Sequence, residues 1–275
     1  MWVSTPLRTS GRIEAVNDGV LQRSGPISAL PGTYLRPGVL FVTTRTGGTL
    51  MDLSRNLYIA LSPQSALIWS GLAEGRSQPD LVKSLAQTMG LEPQAAERLF
   101  KRQLQLWEEA KLISGVDSLR ELLPLPKPPP GAEATEIDQN AVARAALSPG
   151  IVAKLMFAEV SYRRHLRNEG LAKTLVRLQR ESRSEPCQPP APVLNGTLRA
   201  YYALRRPFRQ SSTARDCLLR SLALTAVLRR SGRCADLCIG VIDLPFQAHA
   251  WVEESGLVLN EPLSKRREYV VIGRF

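Results

Sequence analysis

The sequence predicts an α+β protein in two domains, and three observations carry that prediction. Short β-branched and aromatic runs such as GVLFVTT and GLVLNEPL lie among longer stretches with helical spacing of apolar residues. A proline-rich stretch, LLPLPKPPPGAEATE over residues 122–136, interrupts the chain, and clustered prolines carry neither helix nor sheet onward. Charge also changes across it. Residues 1–140 hold 14 basic and 14 acidic side chains, whereas residues 141–275 hold 22 basic and 11 acidic ones, so the whole net charge of +11 lies in the second half. A chain of 275 residues is too long for one small core and suits two. The expected division is an extended lead-in over 1–34, a first domain over 35–115, a linker over 116–140 and a second domain over 141–275.

Composition removes several classes. A hydrophobic fraction of 44% is ordinary for a folded protein and argues against wholesale disorder. No apolar run approaches the roughly 18 residues of a membrane span, and the first residues lack the apolar core of a signal peptide. Membrane is therefore not an expected partner. Four cysteines in a chain of this size are no disulfide framework, so a reducing cytoplasm is the expected compartment. The basic excess of the second half, nearly all arginine, fits either an acidic partner or a solvated helical face.

Within the first domain, GVLFVTT and TLMDLSRNLYIAL read as two or three antiparallel strands broken by Thr44–Gly48 and Asp52–Asn56. Three helices follow. Ser62-Pro63 opens the first, Pro79 the second and Pro93 the third, where Ala96, Leu99, Phe100, Leu104 and Trp107 share one face. A sheet this small leaves an edge strand, and an exposed edge beside a helix can take up an extended peptide. The expected peptide contacts are Leu57, Tyr58, Ile59 and Ala60 on that edge, with Phe100 and Trp107 on the neighbouring helix. A winged-helix DNA-binding domain has similar elements, but the neutral charge of this half argues against nucleic acid.

Chemistry concentrates in the second domain. Residues 141–206 read as helical, interrupted at Pro149-Gly150 and at Gly170. Cys217 lies in ARDCLLRSLALTAVLRRSG, a helix expected to start near Thr213–Asp216 and to stop near Gly232. That puts the thiol in the first turn, where unpaired amides and the helix dipole favour the thiolate. His249, one of two histidines, opens a strand in PFQAHAWVE, and alternation puts His249, Trp251 and Glu253 on one face. Glu261 follows twelve residues later, beside Asn260. Adjacent strand residues face opposite sides, so only one of these two can orient His249. A thiol at a helix start, then a base and an orienting residue on consecutive strands, is the layout of transglutaminase-like and papain-like cysteine enzymes.

Two resemblances sharpen this. The β-β-β-α-α-α order of the first domain, with the textures D-L-x-x-x-x-Y and S-P-x-x-A-x-I-W, resembles the PqqD-like RiPP recognition element, which implies leader-peptide binding by strand addition. The strings C-L-x-R-S-L-A-L-x-x-x-L-R-R-x-G over 217–232 and G-V-x-x-x-P-F-x-A-H-A-W-V-E over 240–253 resemble the leader peptidases among the B proteins of lasso-peptide biosynthesis. That family implies a cysteine peptidase with Cys217 as nucleophile and His249 as base. It also implies a precursor leader peptide as substrate, and a separate ATP-dependent cyclase that closes the freed core. The family carries aspartate in the third role, where this chain has Glu261. A catalytically inactive scaffold and a transglutaminase-like acyl transferase are the competing readings.

The remaining candidates carry less. His165, inside YRRHLRN, is not expected to act. Cys234 and Cys238 would need two further ligands to hold zinc, Cys187 falls in a loop, and Ser221 has no nucleophile-elbow motif. Gln210 is the nearest upstream side-chain amide and a candidate second oxyanion donor. No metal, phosphate-binding loop or other cofactor is expected.

Overall fold

The computed structural model describes residues 28–30, 33–36, 38–114, 134–181, 191–205 and 214–275. They form two compact units, the first holding the described residues up to Ser114 and the second those from Ala134 to Ile242 and from Phe246 to Phe275.

The first unit opens with β1 (Ser28–Leu30) and β2 (Thr33–Leu35), followed by β3 (Val39–Thr44), β4 (Gly47–Asp52) and β5 (Leu57–Leu61). Helices α1 (Pro63–Ala73), α2 (Gln78–Met89) and α3 (Pro93–Glu109) come next, and β6 (Ile113–Ser114) ends it. Strands β3, β4 and β5 form an antiparallel sheet in that order. The β4–β5 turn is built by Asp52, whose carboxylate accepts from the Ser54 amide at 2.9 Å and the Arg55 amide at 3.1 Å. Helix starts follow the capping rule. The Ser65 amide donates to the Ser62 hydroxyl at 3.2 Å, and the Asp80 amide donates to that of Ser77 at 3.3 Å. The helices cover the sheet through Phe41, Leu50, Trp69, Leu81, Phe100 and Trp107, with Trp69 and Trp107 edge to face at 5.0 Å.

Two features of this unit depart from the sequence reading. The last residues of the predicted lead-in are paired strand, since β2 joins β6 with Leu35 opposite Ile113. Phe100 and Trp107 sit in the core, 0% and 3% exposed, because α3 needs its large aromatic face to close a three-stranded sheet. They are therefore removed from direct peptide contact. Along the β5 edge, Leu57 and Ala60 are exposed, Ile59 is half-buried and Tyr58 is buried.

The second unit begins with β7 (Thr135–Glu136) and α4 (Gln139–Arg144), of which β7 lies, and α4 starts, inside the stretch the sequence assigns to the linker. What orders β7 is a distant strand, with the Thr135 amide donating to the Gly256 carbonyl at 2.9 Å. Then come α5 (Pro149–Asn168), α6 (Gly170–Arg180), α7 (Ala191–Arg205) and α8 (Ala214–Arg230). The last part holds β8 (Asp236–Ile242), β9 (Gln247–Glu254), β10 (Leu257–Val258), α9 (Leu263–Arg266) and β11 (Val270–Arg274). The sheet runs β11-β8-β9-β10-β7, antiparallel except for β7 against β10. Pro149 starts α5, and Gly170 at φ 78° divides α5 from α6. Helix α8 packs on β9 and against α5. Its Leu218, Leu219, Leu222, Ala223, Leu224, Ala226, Val227 and Leu228 are all buried, the composition of a helix enclosed on every side. None of the described helices is long and apolar enough to cross a membrane.

Candidate active site

Cys217 is the fourth residue of α8 and is partly exposed. Ser221, one turn further on, donates to the Ala250 carbonyl at 3.0 Å and fastens α8 to β9 beside His249. His249 is 9% exposed and faces Gly240 across the β8–β9 ladder. Its Nε2 lies 3.1 Å from Oε1 of Glu261, in a contact bent away from the N–H axis. The imidazole also hydrogen-bonds Cys217. Cys217, His249 and Glu261 are thus brought together.

Electrostatics sets the charge state. Burial alone would lower the imidazole pKa, but its hydrogen bond to Cys217, its close contact with Glu261 and the charges of both lift it to about 9. For the Glu261 carboxyl, burial is again the largest influence and would raise it. The His249 contact and Lys265 Nζ, 3.3 Å away, outweigh burial and hold it below the ordinary glutamate value. At neutral pH the site therefore holds an imidazolium between the Cys217 sulfur and the Glu261 carboxylate.

Asn260 turns the opposite way. Its Oδ1 accepts from the Val252 amide at 2.7 Å, and its Nδ2 donates to Ser221 Oγ at 3.1 Å and to the Tyr201 hydroxyl at 3.3 Å. The side chain ties β9, α7 and α8 together. Asn260→Ala would leave the Val252 amide buried and unpaired, which costs about 1–3 kcal/mol. The expected outcome is a lower denaturation midpoint with the Glu261–His249 contact retained; a large rate loss with unchanged stability would contradict that role.

An aromatic wall lines the imidazole. Trp251 stacks beside it with centroids 6.2 Å and planes 21° apart, and Tyr269 lies 5.2 Å away. Room for both rings comes from Gly240, where a Cβ would sit 2.6 Å from Trp251 Cη2 and 3.0 Å from Tyr269 Cβ. This gives the first glycine of G-V-x-x-x-P-F-x-A-H-A-W-V-E a physical reason. Gly240→Ala is expected to cost about 1–3 kcal/mol of stability by overpacking and to displace His249. A denaturant midpoint and the reactivity of Cys217 would check it, and wild-type values for both would refute it.

The other sequence candidates fall elsewhere. His165 Nδ1 lies 2.7 Å from Glu169 at the end of α5, so its partner is this carboxylate, although arginines surround it in the sequence. Cys238 is fully buried, and burial pushes its thiol well up, while Cys234 is exposed. Among the described residues no group of three or more His, Cys, Asp or Glu side chains could hold a metal. Cys187 and Gln210 lie outside the described residues. Sequence reasoning missed Trp251 and Tyr269 as neighbours of the base. Only the shared face of β9 hinted at the first, and nothing local hinted at the second.

The chain is 42% identical over 57 residues to the microcin J25-processing protein McjB of Escherichia coli, a match covering 21% of this chain and 27% of that protein. The matched segment is thus a little over a quarter of the curated relative. No solved structure gives a significant match. Residues 156–274 match the family described as the transglutaminase-like superfamily, so the second unit carries a transglutaminase-like domain.

Proposed function

We propose that the chain is a cysteine peptidase that binds the leader of a ribosomally made precursor peptide and cleaves it from the core. The observation that carries this reading is the meeting of Cys217, His249 and Glu261 at the start of α8 and beside β9. In this mechanism the Cys217 sulfur, as thiolate beside the His249 imidazolium, attacks the carbonyl carbon of the last leader residue, and His249 gives its proton to the core amine as the C–N bond breaks. A thioester remains. Neutral His249 then takes a proton from water, whose oxygen attacks the thioester, so the leader leaves as its acid, which ionises in solvent, and the thiolate and imidazolium are restored. The first-turn amides of α8, with that of Cys217 among them, are suited to the oxyanion. No cofactor takes part.

The processing role in the name of the Escherichia coli relative supports the substrate class. On this reading the freed amine passes to a separate ATP-dependent lasso cyclase, in a cytoplasm that keeps Cys217 reduced. Mass spectrometry of a precursor peptide incubated with the full chain tests the reaction. A leader and core summing to the precursor plus one water supports hydrolysis. Coupling of the leader to an added amine would mean acyl transfer, and an unchanged precursor would leave only a binding scaffold.

The first unit would supply the leader site, in the manner of a PqqD-like recognition element, along the β5 edge. Tyr58 is buried, so Tyr58→Pro would damage the core as well as the edge. Leu57→Lys combined with Ala60→Lys is a cleaner probe. It is expected to weaken leader binding about tenfold or more in a fluorescence titration while leaving the reactivity of Cys217 unchanged. Unchanged leader affinity would remove β5 from the proposal.

A further inference from the structure

Glu253 is a carboxylate at 1% exposure on the strand that carries the proposed base. Three donors converge on it. Trp251 Nε1 donates to its Oε1 at 2.7 Å, Arg266 Nε donates to the same oxygen at 3.0 Å, and Arg274 Nη2 binds Oε2. The two arginines come from α9 and β11, and the Arg266 guanidinium also lies 5.6 Å over the Trp251 ring. Removing a carboxylate from water costs several kcal/mol, and apolar packing of the same volume is often at least as stable. Stability alone therefore does not account for a charged cluster here.

Its connections run toward the site. An indole whose N–H is pinned cannot slide or flip in its plane, and the Trp251 ring is the surface on which the His249 ring stacks. Tyr269 closes the remaining side, 5.2 Å from His249 and 6.2 Å from Trp251, and its hydroxyl donates to Gln247 Oε1 at 3.3 Å. The ionisable groups that meet the imidazole, among the described residues, are then Cys217 from α8, Glu261 from the loop after β10, and Tyr269 from the bend just before β11. Glu253 meets it only through the indole.

We infer that Glu253 is a positioning residue, which fixes the Trp251 indole and through it holds the His249 ring in register with Cys217 and Glu261. The inference rests on the proposed peptidase site but not on its substrate, so it can be read without any peptide. The probe is iodoacetamide on the full chain from pH 5 to pH 10, with modification of Cys217 and of exposed Cys234 followed separately by peptide mapping. In the wild type, the imidazolium beside Cys217 should make it react faster than Cys234 at pH 6. Trp251→Phe keeps the Glu253 cluster and removes the indole donor. It is expected to slow Cys217 about tenfold at pH 6 and move its profile toward that of Cys234, which itself stays unchanged. Glu253→Ala should do the same, whereas Glu253→Gln keeps an oxygen for the indole and should stay near wild type.

A Cys217 profile unmoved by Trp251→Phe would overturn the inference, even if the melting temperature falls. So would a wild type in which both cysteines react alike. Should Glu253→Ala fail to fold, Trp251→Phe decides alone. A wild type with the low-pH reactivity but no cleavage of any precursor would defeat the peptidase reading and leave this positioning role standing.

Discussion

Cys217→Ala and His249→Ala are each expected to cut leader release by more than about a thousandfold, and the double variant by hardly more than either single one. Nucleophile and base act as one unit, so removing the first leaves the second nothing to do. The structure also separates this loss from unfolding. Cys217 is only partly buried and a small hydrophobe in volume, so alanine there leaves little cavity. His249 is more enclosed, between Trp251, Tyr269 and Glu261, and its removal leaves a carboxylate with Lys265 as remaining partner. A modest stability loss is therefore expected for His249→Ala and almost none for Cys217→Ala. Single-turnover cleavage assays with denaturant midpoints would check both. Substantial turnover by Cys217→Ala would sink the mechanism.

How much of this was legible in the sequence differs from element to element, for physical reasons. Local signals carried the capped helices α1 and α2, because a serine followed within two residues by a proline is a complete start signal. The start of α5 at Pro149, by contrast, read only as an interruption of a longer helical stretch. Local signals also carried α8 and β9, whose apolar periodicities are long enough to count. Asn260 and Glu261 do point to opposite sides, but in the loop after β10 and not in a strand, so strand alternation is not what separates them. Asn260 is directed into α7 and α8, and Glu261 toward His249.

What stayed hidden depends on partners far away in the chain. Strand β7 has two residues, both exposed, and only the Gly256 carbonyl and β10 make it strand. The basic excess of the second half is partly internal. Arg229 is buried and donates to the carbonyls of Ala235, Leu178 and Phe275, and Arg233, Arg266 and Arg274 pair with Glu254 or Glu253. A charge count cannot tell such residues from a solvated face or an anion site, because burial of an arginine is decided by which carbonyls lack donors. The same holds for Phe100 and Trp107, where an aromatic helix face reads alike whether it meets a ligand or a core.

Glu261→Gln should produce the second large effect, and pH gives it a distinctive signature. The wild-type imidazole titrates at about 9, well above the roughly 6.5 of an unfolded chain. A group whose folded value is raised adds stability that is complete below about pH 6.5 and is lost as pH climbs through about 9. The same titration removes the proton that the departing amine needs, so the cleavage rate should fall on an alkaline limb near pH 9. An uncharged amide at 261 keeps the size of the glutamate and removes its charge. The limb should then move down toward 6.5, and the rate at neutral pH should drop about a hundredfold as the imidazolium loses its counter-ion. Glu261→Asp restores the charge on a side chain one methylene shorter and should recover most of the rate. Rate profiles from pH 5 to pH 10 for wild type and both variants would read this directly. An alkaline limb that stays near 9 in Glu261→Gln, or one that moves instead in Asn260→Ala, would transfer the orienting role to Asn260 and give the site a papain-like amide in place of the carboxylate.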